Sequence, residues 1–108
     1  PTGGLLLVTV NGQYAGVAGI RKFADGECEL KRMFVRAEYR NLGLGQRLMT
    51  EALALAKRLG YAVVKLDTAD FMQAAIRLYQ ANGFVEIPPY RFNPHEQARY
   101  FELKMPVR

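Results

Sequence analysis

Tryptophan is missing from this 108-residue chain, and cysteine and histidine occur once each, as Cys28 and His95. A single cysteine excludes an internal disulfide, and no spacing of cysteines and histidines suits zinc, so no metal is expected. A lone thiol fits a reducing compartment, and a cytoplasmic location is the expectation. Long apolar runs are also lacking. The longest, "LLLVTV" (Leu5 to Val10), is far too short to span a bilayer as a helix. No secretory signal pattern is visible, and neither an internal repeat nor a low-complexity segment occurs. Proline is sparse, but three of the five fall within "PPYRFNPHEQ" (Pro88 to Gln97), which argues for a loop there.

Half of the residues are hydrophobic, enough for one compact domain over residues 1–108. The net charge of +5 suits an anionic partner, or simply a soluble basic protein. A nucleic-acid partner is not expected, because the basic residues are not interleaved with aromatics on one face and no such motif appears.

The chain enters a strand almost at once, at Leu5 to Val10, and "NGQ" marks a turn. Tyr14 to Phe23 reads as a second strand, with Gly16 and Gly19 signalling a bulge or a close backbone approach. After "ADGE", Cys28 to Val35 reads as a third, completing an antiparallel meander. Leu44, Leu48, Ala52, Leu55 and Leu59 then recur at helical spacing, and Gly60 stands where a C-cap glycine belongs. A short strand (Tyr61 to Leu66) and a loop (Asp67 to Asp70, with Asp70 as N-cap) precede a second helix, Phe71 to Ala81. "NGF" closes that helix. Strands at Val85 to Ile87 and Ala98 to Met105 finish the chain. The order β-β-β-α-β-α-β-β implies an α/β fold with a mixed sheet that is parallel in part.

Between the third strand and the first helix lies "RNLGLGQRL" (Arg40 to Leu48). Backbone N–H groups at a helix start have no partners inside the helix, and the helix dipole favours an anion there. Glycines let a phosphate approach the backbone, and Arg40 and Arg47 add charge. A plain strand-to-helix turn with nothing bound would use the same residues. The nucleotide-hydrolysing P-loop is excluded, since no Gly-x-x-x-x-Gly-Lys-Ser/Thr occurs. A dinucleotide turn is excluded by Leu48, where its third glycine would fall, and by the meander in front.

Arg40-Asn41-Leu42-Gly43-Leu44-Gly45 resembles the Gln/Arg-x-x-Gly-x-Gly/Ala motif of the GNAT superfamily of N-acetyltransferases, there placed between a strand ending in valine and a long helix. Downstream, Ala75, Leu78, Tyr79, Gly83 and Phe84 match that family's Asn-x-x-Ala-x-x-Leu-Tyr-x-x-x-Gly-Phe pattern, with Met72 in place of the asparagine. The similarity covers nearly the whole chain. It implies the acyl-CoA N-acyltransferase fold and acetyl-CoA as cosubstrate. Members usually begin with a strand and two helices ahead of the hairpin. Those are not in this sequence, so an N-terminally truncated domain is the expectation. A substitute cover for the sheet is expected with it, most simply a homodimer.

The resemblance implies that backbone groups of Met33, Phe34 and Val35 meet the pantetheine arm. It further implies that N–H groups of Asn41, Gly43, Leu44, Gly45 and Gln46 meet the pyrophosphate beside Arg40. An alkyl amine with a pKa of about 10.4 is protonated at neutral pH, so acetylation needs a base. Glu29 is the candidate, eleven residues before Arg40; with ideal alternation it shares a face with Lys31, Met33 and Val35. A surface carboxylate paired with Lys31 or Arg21 would look the same. Glu27 and Glu38 are weaker candidates, and His95 reads as loop surface. Tyr79 is the candidate acid for the departing thiolate, with packing under the sheet as its other reading. "YRFNPH" (Tyr90 to His95) lines an acceptor pocket or is an ordinary loop. The expected function is direct acetyl transfer to a primary amine; the alternative is a non-catalytic acyl-CoA-binding module or a truncated remnant.

Overall fold

A computed structural model describes residues 2–106. Six strands form one sheet: β1 (Gly4–Val10), β2 (Gln13–Ala24), β3 (Glu27–Val35), β4 (Val63–Ala69), β5 (Val85–Ile87) and β6 (Ala98–Lys104). Two helices, α1 (Leu44–Arg58) and α2 (Gln73–Ala81), and a short 3-10 turn at Ala37–Tyr39 complete the order. In space the strands run β1-β2-β3-β4-β6-β5, and only β3 and β4 are parallel. The expected α/β fold with a mixed sheet is therefore present.

Both helices pack on one face of the sheet. Leu48, Met49, Ala52 and Ala56 of α1 and Ile76 and Tyr79 of α2 join Cys28, Leu30, Val64, Leu66 and Phe101 in one buried cluster. Alternation along the strands then puts Glu29, Lys31, Lys65, Asp67 and Tyr100 on the opposite, outer face. Burial pushes the Cys28 thiol up to about 12, with the charge of Glu29 adding to it, so this cysteine is an inert core residue.

Two features shape the region that follows. β3 pairs with β4 through only three residues, ending at Glu29 opposite Lys65. Beyond that point the strands diverge, although β3 runs on to Val35 and β4 to Ala69. A bulge also interrupts β3. Arg32 has a φ of 57°, and the register against β2 slips between Lys31 and Phe34. The extra residue ends the alternation expected across β3: Lys31 stays on the outer face with Glu29, whereas Met33 and Val35 pack against the core.

Other boundaries also differ from the sequence reading. Residues 67–69 continue β4 in place of a loop, because Asp67, Thr68 and Ala69 pair with β6. α2 begins at Gln73 rather than Phe71, and Met72 is its N-cap, with no side-chain cap from Asp70. Gly60 (φ 90°) and Gly83 (φ 96°) close the two helices as expected.

Gly16 is the close approach signalled in β2. A Cβ there would lie 2.7 Å from the Phe34 carbonyl oxygen and 3.2 Å from Leu48 and Val8. Gly16→Ala should therefore cost about 1–3 kcal/mol, the usual scale of core overpacking. Urea denaturation checks this; an unchanged midpoint would mean that β2 can back away from β3.

Candidate active site

Beside the end of β3, past its pairing with β4, a groove of about 540 Å³ is lined by β3, the turn before α1, and α2 with the residues just before it. Met33, Phe34 and Val35 form one wall, and Phe71, Met72, Ala75 and Leu78 form the other. Arg40, Asn41, Gly43, Leu44 and Gly45 close one end. All of the cofactor-side residues expected from sequence thus meet at one place, except Gln46, which follows directly in α1.

The turn has a specific backbone form. Asn41 (φ 66°) and Gly43 (φ 78°) are both left-handed, and Gly43 is the N-cap of α1. The first helical bond is donated by the Arg47 N–H to the Gly43 carbonyl. Among the described residues, the N–H groups from Asn41 to Gln46 find no acceptor. No acidic side chain occupies the first turn of α1. Such a run of unpaired amides at a helix start is a concave anion site.

The two glycines do different work here. Gly43 supplies the left-handed backbone. Gly45 is helical, and a Cβ on it would meet Leu78 at 3.5 Å, so its missing side chain keeps the end of the groove open between α1 and α2.

The polar side chains at the turn are mostly engaged within the protein. Arg40 Nε donates to the Val35 carbonyl at 3.1 Å, and its guanidinium lies 5.9 Å from the Phe34 ring. The Gln46 and Asn82 amides exchange two bonds of 2.9 Å, tying α1 to the end of α2. Gln46 therefore has its N–H, and not its side chain, to offer a ligand.

Tyr79 is buried, 6% exposed, against Phe84 and Phe101 with ring centroids 5.8 and 6.5 Å away. Burial, and then the charge of Asp67, raise its pKa, so the phenol is protonated at neutral pH. It is not among the residues that line the groove.

Glu29 is the most enclosed charge among the described residues, 1% exposed. Oε1 accepts from Arg21 at 3.1 Å; Oε2 accepts from the Tyr90 hydroxyl at 2.9 Å and Arg91 at 2.8 Å. Lys31 stands 3.6 Å away. Burial alone pushes the carboxyl up, but the bonds from Tyr90 and Arg21 and the charges of Lys31 and Arg91 together hold it below the usual range. Asp67, which the sequence pattern places in a loop, lies in β4 and joins the same cluster. It accepts from Asn93 at 2.9 Å and from Lys31 at 3.3 Å. The pairing of Glu29 with Arg21 and Lys31 is the one the sequence offered, although the carboxylate is buried and not on the surface; nothing local signals Tyr90, Arg91 or Asn93, whose partners are 26 to 62 residues away.

A pKa lowered on folding stabilises the fold above the unfolded value, and that stability is lost as pH falls through the folded value. Glu29 and Asp67 are both lowered. The melting temperature should hold above pH 5 and fall steeply below about pH 4, the ordinary carboxylate range. Glu29→Gln should flatten that acid slope while lowering the plateau. An acid slope as steep as that of the unaltered chain would mean that Glu29 is not an ionised hub.

The groove thus brings together Met33 to Val35 and the amide-lined turn, the two segments that the sequence resemblance singled out. Residues 1–84 match the Acetyltransferase (GNAT) family. The chain belongs to that family. An uncharacterised N-acetyltransferase of Schizosaccharomyces pombe is 38% identical, covering 97% of this chain and 66% of the yeast protein. An uncharacterised N-acetyltransferase of Dictyostelium discoideum is 37% identical over 72% of this chain and 37% of its own length. The chain thus spans less than two thirds of these curated relatives. Among solved GNAT structures, an acetyltransferase of Staphylococcus aureus superposes with a TM-score of 0.85 at 27% identity, covering 96% of this chain and 69% of that one. A family acetyltransferase of Elizabethkingia anophelis with acetyl-CoA bound gives 0.82 at 19% identity, over 96% and 77%, which shows the GNAT fold alone.

Proposed function

We propose that this chain is an acetyl-CoA-dependent N-acetyltransferase domain that transfers acetyl directly to a primary amine. The observation that carries the reading is the coincidence of two openings. The unpaired amides of Asn41, Gly43, Leu44 and Gly45 open onto the same groove as Met33 to Val35, the stretch of β3 that β4 does not pair and whose Val35 carbonyl Arg40 takes. A long ligand with a phosphate at one end and an amide-bearing arm would satisfy both.

The thioester supplies an activated acetyl group. The chain supplies binding, orientation and proton transfer. As the amine nitrogen bonds the carbonyl carbon, the carbon–sulfur bond breaks and the amine gives up a proton. Tyr79 is proposed to donate its proton to the leaving thiolate. Glu29, the expected base, would have to act through water, because its oxygens are already bonded. Self-association is part of the proposal, since Leu5 and Leu7 of β1 are 57% and 63% exposed; light scattering showing a monodisperse monomer would remove that part.

A second reading, a non-catalytic acyl-CoA binder, is favoured by one observation: neither Glu29 nor Tyr79 lines the groove. Thiol release from acetyl-CoA across a panel of primary amines separates the two. Amine-dependent release supports the enzyme; tight binding with no release from any amine supports the binder.

A further inference from the structure

Arg40 opens the anion turn, yet its side chain folds back on the strand before it. Nε donates to the Val35 carbonyl at 3.1 Å, five residues earlier in the chain. The guanidinium lies 5.9 Å from the centre of the Phe34 ring. The short connection between strand and turn is braced from the other side by Arg36, which donates to the Tyr14 carbonyl at 3.0 Å and to Glu38 at 2.7 Å. Arg36 thus grips β2 at the start of the connection, and Arg40 grips β3 at its end.

The carbonyl that Arg40 takes faces away from β2. In an antiparallel pair, successive residues direct their N–H and C=O groups alternately towards the partner strand and away from it. The Arg36 N–H donates to Ala15 of β2 at 2.8 Å, and the next pair sets Val35 opposite Gly16. Val35 therefore directs its polar groups to the side on which β4 has ceased to pair. Phe34, Val35 and Arg40 all line the groove. One residue touches both parts of the site: its backbone leads into the unpaired amides, and its side chain ends on the strand wall.

We propose that Arg40 is a positioning residue whose side chain ties the end of β3 to the α1 turn and so sets the spacing between strand edge and amides. The assignment rests on the acetyltransferase reading, because it concerns a ligand that spans both parts. The role is carried by an N–H donor within reach of Val35, and not by positive charge. A carbonyl oxygen has two lone pairs, so Val35 can hold Arg40 and still accept from a ligand amide. A ligand gripped at two points binds well only where the points are already held apart at the right distance, since ordering them on binding costs affinity. Arg40 is exposed, so the contact matters for this spacing more than for the stability of the fold.

Two variants of the whole chain separate donor from charge. Arg40→Gln keeps an N–H donor and loses the charge; Arg40→Met loses both. Calorimetry should show acetyl-CoA binding weakened about threefold to tenfold in Arg40→Met, the scale of one exposed hydrogen bond. Arg40→Gln should stay within about twofold of the unaltered chain, with the same dependence on salt. Carbon-13 NMR without ligand reads the tie itself. The Val35 carbonyl signal should move in Arg40→Met and return most of the way in Arg40→Gln, while the melting temperature of both variants changes little. Equal losses of affinity in the two variants, with a shallower salt dependence, would make Arg40 a phosphate-facing charge and overturn the proposal. Full affinity in Arg40→Met would overturn it as well, and so would an unmoved Val35 signal in that variant. If the unaltered chain binds no acetyl-CoA, the acetyltransferase reading fails and the positioning role falls with it. The Val35 signal still reports separately whether strand and turn are tied.

Discussion

Tyr79→Phe should lower turnover about a hundredfold or more, the scale of a lost general acid, with little change in acetyl-CoA affinity. The substitution keeps the ring, so its packing against Phe84 and Phe101 survives. Only the hydroxyl is removed. Burial and the Asp67 charge keep that hydroxyl protonated, which is the state needed to protonate a departing thiolate. A thiol-release assay under saturating cosubstrate reads the effect. Thermal melting on the same sample checks that the fold is intact. Equal turnover in the variant would assign Tyr79 to packing and leave the thiolate to solvent.

Gly43→Val should weaken acetyl-CoA binding by about tenfold to a hundredfold, as expected from displacing one hydrogen bond to a charged group at about 1.5–3 kcal/mol. Gly43 sits at φ 78°, where a β-branched residue is strained, and a Cβ there would meet no neighbouring atom within 4 Å. The variant thus has room but the wrong backbone. It would relax by rotating the turn, and the amides would no longer converge. The site is exposed and outside the core, so the melting temperature should fall only modestly. Calorimetry gives the affinity. Full affinity with the fold retained would show that the turn carries no phosphate.

The element order and the turn were legible because local signals set them. Glycines at 43, 60 and 83 adopt the left-handed backbone that a turn or cap requires, and the leucines of α1 repeat at helical spacing. The start of α2 was less legible. Asp70 has the chemistry of an N-cap, but its backbone N–H bonds to Gln97 and the chain turns at Met72 before the helix begins. The face assignment along β3 failed at one residue, because period-two alternation assumes an unbroken strand and Arg32 inserts a bulge. Glu29 was singled out by position alone. Of its partners, Arg21 and Lys31 lie within eight residues and were legible as strand neighbours. Tyr90 and Arg91 join it only by tertiary contact across the outer face, so this half of the polar cluster was not readable from spacing, although the segment that supplies it stood out by its prolines and aromatics.

The central claim is that acetyl-CoA lies in the groove between the end of β3 and α2 with its phosphates on the α1 turn. Backbone amide NMR during titration with acetyl-CoA tests it most directly. The account predicts saturable shifts at Asn41 to Gln46 and at Met33 to Val35, with the amides of β1 and β5 unmoved. Saturable binding that shifts amides elsewhere and leaves residues 41–46 unperturbed would contradict it.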